Sequence, residues 1–293
     1  MPLVNMKPVL REAMKQGYAV AAFNLVDYGT TKAMIKAAEE LEAPVIVQVS
    51  AKTIKYFSHK EVVSWVRVLA EDSPSPVVLH LDHCKDIEMI RKCAESGWTS
   101  IMIDASDQPF EKNLELSKQV QDIANKHGVG LEAELGQILG VEDDMVVSEE
   151  EGSRLTEPED AERFCRELDL AAFAAAVGTA HGYYKGEPKV GFDRIREINQ
   201  RTKVPMALHG GTGLDEETIR KCIAGGCAKV NISTNLKHVF VESFVDYHKA
   251  KPTDFEPLNL IKAQYEACKE LFKSKIAECG GADRAAELLR KAA

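Results

Sequence analysis

Eight short apolar runs divide the chain at nearly regular intervals, and a helical pattern follows each. The runs are YAVAAFN (18–24), PVIVQVS (44–50), PVVLHLDH (76–83), SIMIDAS (100–106), GLEAELG (130–136), AAFAAAVG (171–178), PMALHGG (205–211) and AKVNIST (228–234). They are nearly all apolar, as strands buried on both faces of a parallel sheet are. The intervening stretches, such as TTKAMIKAAEELE and DIEMIRKCAESG, place apolar residues three or four apart, the period of a helix with one buried face. Several end at glycine just before the next run, a helix C-terminal signal. Eight strand–helix units predict an α/β fold, a (β/α)8 TIM barrel, with residues 1–293 as one domain. Alternation alone also fits an open doubly wound sheet. The count, and the polar residues gathered at strand C-terminal ends, favour closure. Residues 250–293 read as a C-terminal helical extension that either covers the barrel or contacts another subunit.

Composition narrows the partners. The net charge of −9 argues against a nucleic-acid-binding surface. No apolar run is long enough to span a bilayer. MPLVNMKPVLREAMKQG lacks the continuous apolar core and cleavage site of a signal peptide. The seven cysteines are odd in number and scattered, and no CxxC occurs. Reduced thiols in a cytoplasmic protein are expected. Cys84 reads as a small buried residue at a strand end, although it adjoins His83.

Three histidines, His83, His181 and His209, stand at or just past the ends of three different strands. Active sites of parallel barrels occupy that rim. Three protein ligands plus one open position is the catalytic arrangement for zinc. His59, His127, His238 and His248 fall in helices or at their ends and read as solvated. His80, two residues before Asp82, reads as an orienting group. Asp82 precedes His83, and alternation points the two apart until the backbone turns at the strand end. A carboxylate there suits proton transfer to a substrate oxygen or the orientation of a histidine. Asp104 and Glu134 occupy equivalent positions on the fourth and fifth strands. They fit either a second cation or hydrogen bonds to the first ligands.

Three turns look built for an anion: HGYYKGEP (181–188), HGGTG (209–213) and NIST (231–234). Barrel phosphate sites often use the loops after the seventh and eighth strands. Glycines let backbone N–H groups approach an anion, and helix N-termini add positive potential. Thr212, Ser233 and Thr234 add hydroxyls, and Lys185 adds a charge. Residues 137–158 form a long acidic loop after the fifth strand, with the character of an active-site lid. Glu149, Glu150 and Glu151 read as solvated, whereas Glu142 and Asp143 stand close to the barrel behind a glycine.

In order along the barrel, PVIVQVS, LHLDHC, SIMIDAS, EAELGQILGVED, VGTAHGYYKGEP, ALHGGTG and KVNIST resemble the class II, zinc-dependent ketose-bisphosphate aldolases, which include fructose- and tagatose-bisphosphate aldolases. The resemblance runs from about residue 23 to residue 237. It implies reversible cleavage of a ketose phosphate to dihydroxyacetone phosphate and an aldehyde. By that resemblance, His83, His181 and His209 hold the catalytic Zn2+. Asp82 handles the C4 hydroxyl proton. Asp104 and Glu134 line a second metal position. Glu142 exchanges the proton on the dihydroxyacetone phosphate carbon. Gly182, Lys185, Gly210, Gly211, Thr212, Asn231, Ser233 and Thr234 bind the 1-phosphate, with a monovalent cation, Na+ or K+, nearby. Asn24 and Ser50 lie on the substrate side. The family also implies a homodimer or homotetramer.

Three departures from the family pattern stand out. MIDASD, with Ala105 and Asp107, replaces MIDGSH. Ser233 and Asn235 replace two acids of NIDTD. Leu258 stands where the family often has an arginine that reaches the second phosphate, usually from a neighbouring subunit. Without that bidentate partner, the expected substrates widen to a ketose 1-phosphate or a ketose with a sulfonated or unphosphorylated tail. Two rivals use the same residues: a zinc isomerase or hydrolase on the same barrel, and a non-catalytic sugar-phosphate sensor.

Overall fold

Alternate residues of each barrel strand divide between two apolar layers. The computed structural model describes residues 3–142, 145–147, 155–184 and 186–292. Its strands are β1 (Val20–Asn24), β2 (Val45–Ser50), β3 (Val77–Asp82), β4 (Ser100–Ile103), β5 (Gly130–Leu135), β6 (Leu139–Glu142), β7 (Met145–Val147), β8 (Ala172–Ala175), β9 (Ala180–His181), β10 (Met206–Leu208) and β11 (Cys227–Ile232). Eight of them close in the order β1-β11-β10-β8-β5-β4-β3-β2, every neighbouring pair parallel. This is the (β/α)8 barrel, and each of the eight apolar runs supplies one of its strands.

Phe23, Val47, Leu79, Ile101 and Val230 point outward beneath the helices. Val20, Ala22, Ile46, Val78, Ala172 and Ala207 point inward at the lower end. The helix Met6–Gln16 closes that end with Met6, Val9, Leu10 and Ala13. Asn5 starts this helix by accepting from the Lys7 N–H, and Gly17 ends it at φ 72°. Each large apolar side chain buried this way contributes roughly 1.5–3 kcal/mol. Apolar filling below leaves the upper rim to the polar residues. The alanines of β8 face the glutamates of β5, with Glu132 opposite Ala172 and Glu134 opposite Ala174. Small residues there leave room for long polar side chains inside the barrel.

The helix Pro257–Glu278 packs against the helix Tyr28–Glu40 and buries Cys268, Phe272 and Ile276. Phe272 meets Phe23 at a centroid distance of 4.7 Å. Its buried face therefore covers the barrel. Phe255, Leu258 and Ile261, before and within its first turns, are exposed. All seven cysteines are buried thiols. No helix among the described residues is long and apolar enough to cross a membrane.

The segment expected as a long loop after β5 has structure of its own. β6 and β7 pair antiparallel, and β6 also pairs parallel with β9, which ends on His181. Its hydrogen bonds are spent on a three-stranded sheet at the rim, a use that hydrophobic period does not reveal because two of the strands are very short.

Candidate active site

The strand C-terminal ends bring His83, His181 and His209 together, with one ring nitrogen from each within 4.8 Å of the others. Ring centroids lie 4.6 Å apart for His83 and His209, 5.3 Å for His83 and His181, and 6.0 Å for His181 and His209. His83 follows the last residue of β3, where alternation would turn it outward. Its φ of 41° swings it back over the rim. Such a conformation is costly for a non-glycine residue and persists where surrounding structure enforces it. Here the His83 Nδ1–H donates to Asp104 Oδ2 at 2.9 Å. That leaves Nε2 to face the cluster, because a carboxylate only accepts. His209 is oriented the opposite way: its Nε2–H donates to Glu132 Oε1 at 2.9 Å, and Nδ1 lies 3.4 Å from Glu134 Oε2.

Burial pushes the His209 pKa down, outweighing the hydrogen bond to Glu132 that acts to raise it. His209 is therefore neutral near pH 7, the form a metal ligand requires. Burial works against ionisation of Asp104, but the hydrogen bond and charge of His83, with two hydrogen bonds from Ser106, hold its carboxyl below the usual carboxylate range. Tetrahedral zinc bound by imidazoles at 2.0–2.1 Å needs nitrogens about 3.4 Å apart. The three nitrogens, within 4.8 Å of one another, lie near that spacing. The donor set fits a divalent metal.

Asp82 is 1% exposed and is held from both sides by amides. Asn24 Nδ2 donates to its Oδ2 at 3.2 Å, and Asn231 Nδ2 donates to its Oδ1 at 3.3 Å. Gln48 Nε2 in turn donates to Asn24 Oδ1 at 2.7 Å. The β2–β3 register sets Ser50 beside Asp82. Ser50 also caps the following helix by accepting from the Thr53 N–H. Asn24 and Ser50 thus stand on the Asp82 side of the rim.

A pocket opens against His181, which forms part of its wall. Gly182, Gly210, Thr212, Asn231, Ser233 and Thr234 line it, as the three turns implied, and Lys237 joins them. Gly210 adopts φ 70°, and a β-carbon there would lie 2.4 Å from the Ala180 carbonyl oxygen. Gly211 lies just beneath, where a β-carbon would come within 2.7 Å of Val230 Cγ1 and 2.9 Å of the Asn231 carbonyl oxygen. The turn therefore needs Gly210 to run this close to β9 and Gly211 to run this close to β11. Tyr184 ties it to β9 by donating to the Gly210 carbonyl at 2.9 Å and accepting from the Ala180 N–H at 3.1 Å. Ser233 makes no side-chain cap bond to the helix Thr234–Ala250, whose N-terminus faces the pocket. Backbone N–H groups, hydroxyls and an ammonium at one spot have the chemistry that anion sites use.

Asp104 and Glu134 stand against His83 and His209 respectively. Glu142 is the last residue of β6. Lys185, Asp143 and Glu149–Glu151 lie outside the described residues. Sequence reasoning missed four residues: Gln48, Glu132, Lys229 and Lys237. Lys229 Nζ lies 2.9 and 3.1 Å from the two oxygens of Glu132, both side chains fully buried. His80, expected to orient its neighbours, reaches the same carboxylate, with Nε2 at 3.5 Å from Glu132 Oε2 and Nδ1 at 2.8 Å from Ser100 Oγ. The available signal was a single Glu and a single Lys at barrel-facing positions of otherwise apolar strands, since buried charges must pair.

The closed parallel barrel and its rim of histidines and carboxylates define an enzyme of the metal-dependent TIM-barrel class. A sequence model of the family described as Fructose-bisphosphate aldolase class-II matches residues 4–284, and the chain belongs to that family. It is an aldolase, a lyase that breaks a carbon–carbon bond by retro-aldol cleavage. A probable fructose-bisphosphate aldolase of Bacillus subtilis strain 168 is 38% identical over 288 residues, covering 97% of this chain and 100% of the relative. The 6-phospho-5-dehydro-2-deoxy-D-gluconate aldolase of the same organism is 37% identical, covering 98% of this chain and 99% of the relative. The crystal structure of the YdjI aldolase from Escherichia coli K12 superposes with a TM-score of 0.85 at 29% identity, covering 97% of this chain and 99% of that one.

Proposed function

We propose that the protein cleaves a ketose bisphosphate reversibly into dihydroxyacetone phosphate and an aldehyde, with zinc at His83, His181 and His209. The convergence of three histidine nitrogens within 4.8 Å on the rim that also holds Asp82 carries this reading. Zinc, when bound there, supplies Lewis-acid stabilisation of the negative charge that develops on the enediolate oxygens. The remaining steps belong to side chains of this chain. The pocket of Gly182, Gly210, Thr212, Asn231, Ser233, Thr234 and Lys237, with Gly211 in the turn beneath it, seats the 1-phosphate, and Lys185 adds its charge. Asn24 and Asn231 fix the Asp82 carboxylate so that it takes the C4 hydroxyl proton as the C3–C4 bond breaks. Glu142, at the end of β6, returns a proton to the dihydroxyacetone phosphate carbon. Ser50 stands on the substrate side, beside Asp82. Asp104 and Glu134 orient the histidines and line a second metal position.

A monovalent cation, Na+ or K+, suits the edge of the phosphate pocket. Asn231 Oδ1 and Ser233 Oγ are buried there without hydrogen-bond partners. The exposed Val241, Val245, Phe255 and Ile261 support a homodimer or homotetramer. Residues 1–293 act as one domain, in the cytoplasm.

Leu258, 60% exposed, favours a second reading in which the substrate is a ketose 1-phosphate or carries a sulfonated or unphosphorylated tail. One experiment tests both. Triose phosphate release is measured from ketose mono- and bisphosphates and from a sulfonated and an unphosphorylated ketose, before and after treatment with a chelator. Loss of activity on chelation and its return with zinc is expected. Undiminished turnover by metal-free protein would sink the metal assignment, and preference for a monophosphate would select the second reading.

A further inference from the structure

We propose that Glu132 and Lys229 form a buried positioning pair that determines which nitrogen of His209 faces the metal. The proposal rests on His209 being a metal ligand. Glu132 projects from β5 and Lys229 from β11, and their side chains meet inside the barrel with no solvent exposure. Three nitrogens converge on the Glu132 carboxylate: Lys229 Nζ at 2.9 Å, His209 Nε2 at 2.9 Å and His80 Nε2 at 3.5 Å.

Carboxylate oxygens only accept hydrogen bonds. Glu132 Oε1 is the nearer of the two carboxylate oxygens on the ring, 2.9 Å from Nε2 against 3.4 Å from Nδ1 to Glu134 Oε2, so the hydrogen sits on Nε2 and Nδ1 keeps its lone pair for the metal. His83 is held in the opposite sense, by Asp104 on Nδ1. The two rings thus reach one point through different nitrogens. Each directly follows a barrel strand, but His83 takes a positive φ of 41° and His209 does not.

Lys229 is what lets a carboxylate occupy this place. It donates a hydrogen bond to Glu132 Oε1 at 3.1 Å and stands in ion-pair contact with Oε2 at 2.9 Å, which fixes the carboxylate. It also balances a charge that would otherwise be buried alone, at a large penalty. His80, itself bonded to Ser100, limits rotation of the carboxylate on the other side. Lys229 touches no reacting atom, so its role is positional.

The test uses the whole protein. In histidine-labelled parent protein, nitrogen NMR reads the tautomer of each ring. His209 is expected as the Nε2–H form, and an Nδ1–H form would overturn the proposal. The double variant K229M/E132Q removes both charges together, so neither is left alone. It is expected to unfold near the parental temperature, to bind zinc roughly 10- to 100-fold more weakly in chelator competition, and to show altered cobalt absorption bands. A folded double variant with parental zinc affinity and parental cobalt bands would show the pair to be only structural. Should it fail to fold, the tautomer measurement on the parent still decides. Parent protein that binds no zinc, or an H209A variant that binds it as the parent does, would instead remove the ligand assignment on which the proposal rests.

Discussion

Gly140 lies so close to His181 that a β-carbon on it would stand 2.4 Å from the His181 carbonyl oxygen. The contact joins the hairpin that ends β6 at Glu142 to the strand that carries a candidate ligand. With φ at 107°, Gly140 also holds a conformation that other residues enter only under strain. Gly140→Ala is expected to separate β6 from β9 at a cost of roughly 1–3 kcal/mol. Catalysis should fall further than stability, because both the hairpin and His181 shift. Thermal unfolding set beside kcat/KM checks this, and parental kcat/KM would show the pairing to be dispensable.

Asp82, proposed to take the C4 hydroxyl proton, is held by the two amides of Asn24 and Asn231. Replacing it with asparagine keeps the shape and removes the base. Asp82→Asn should lower kcat by about 10²- to 10⁴-fold while zinc stoichiometry stays at the parental value. Loss of zinc along with activity would instead make Asp82 a support of the metal site.

Lys237 gives the pocket proposed for the 1-phosphate a charge that the glycine turns lack. A charge-assisted hydrogen bond contributes about 1.5–3 kcal/mol, or roughly tenfold or more in affinity. Lys237→Met should therefore raise KM for a phosphorylated ketose, and the inhibition constant of inorganic phosphate, by about tenfold with kcat changed much less. Equal constants in the two proteins would place the phosphate elsewhere.

Alkaline pH offers a test of the tyrosines. Burial pushes Tyr184 from 10.0 up to about 12. Burial also raises Tyr18 to about 12, partly opposed by the Arg284 charge. Both folded values exceed the unfolded one, so the protonated phenols bind their protons more tightly in the native state. Their stabilisation is complete below about pH 10 and is lost as pH rises toward 12. Chemical unfolding across that range should show the decline, and Tyr184→Phe should flatten it. A parental protein of constant stability through pH 12 would contradict the assignment.

Much of the rim was legible because barrels put function at strand ends, and apolar runs show where strands end. His83, His181, His209 and Asp82 follow from that rule, and the HGGTG turn follows from its glycines. Glu132 and Lys229 escaped because each looks like one misplaced charge within its own strand. Their strands lie far apart in sequence, and only the barrel sets them face to face. Lys237 escaped for a similar reason: on a helix it reads as solvated, and its value comes from the turn opposite. The short strands β6, β7 and β9 were invisible because two to four residues carry no periodic signal.

The sequence by itself determined the barrel, its strand order along the chain and the residues available for chemistry, since hydrophobic period and glycine placement are local properties. Tertiary structure alone decided which ring nitrogens of His83 and His209 face a carboxylate, which carboxylate steadies which ring, and that a buried lysine lies against Glu132. Those outcomes depend on hydrogen-bond distances between strands whose separation is fixed only when the barrel closes.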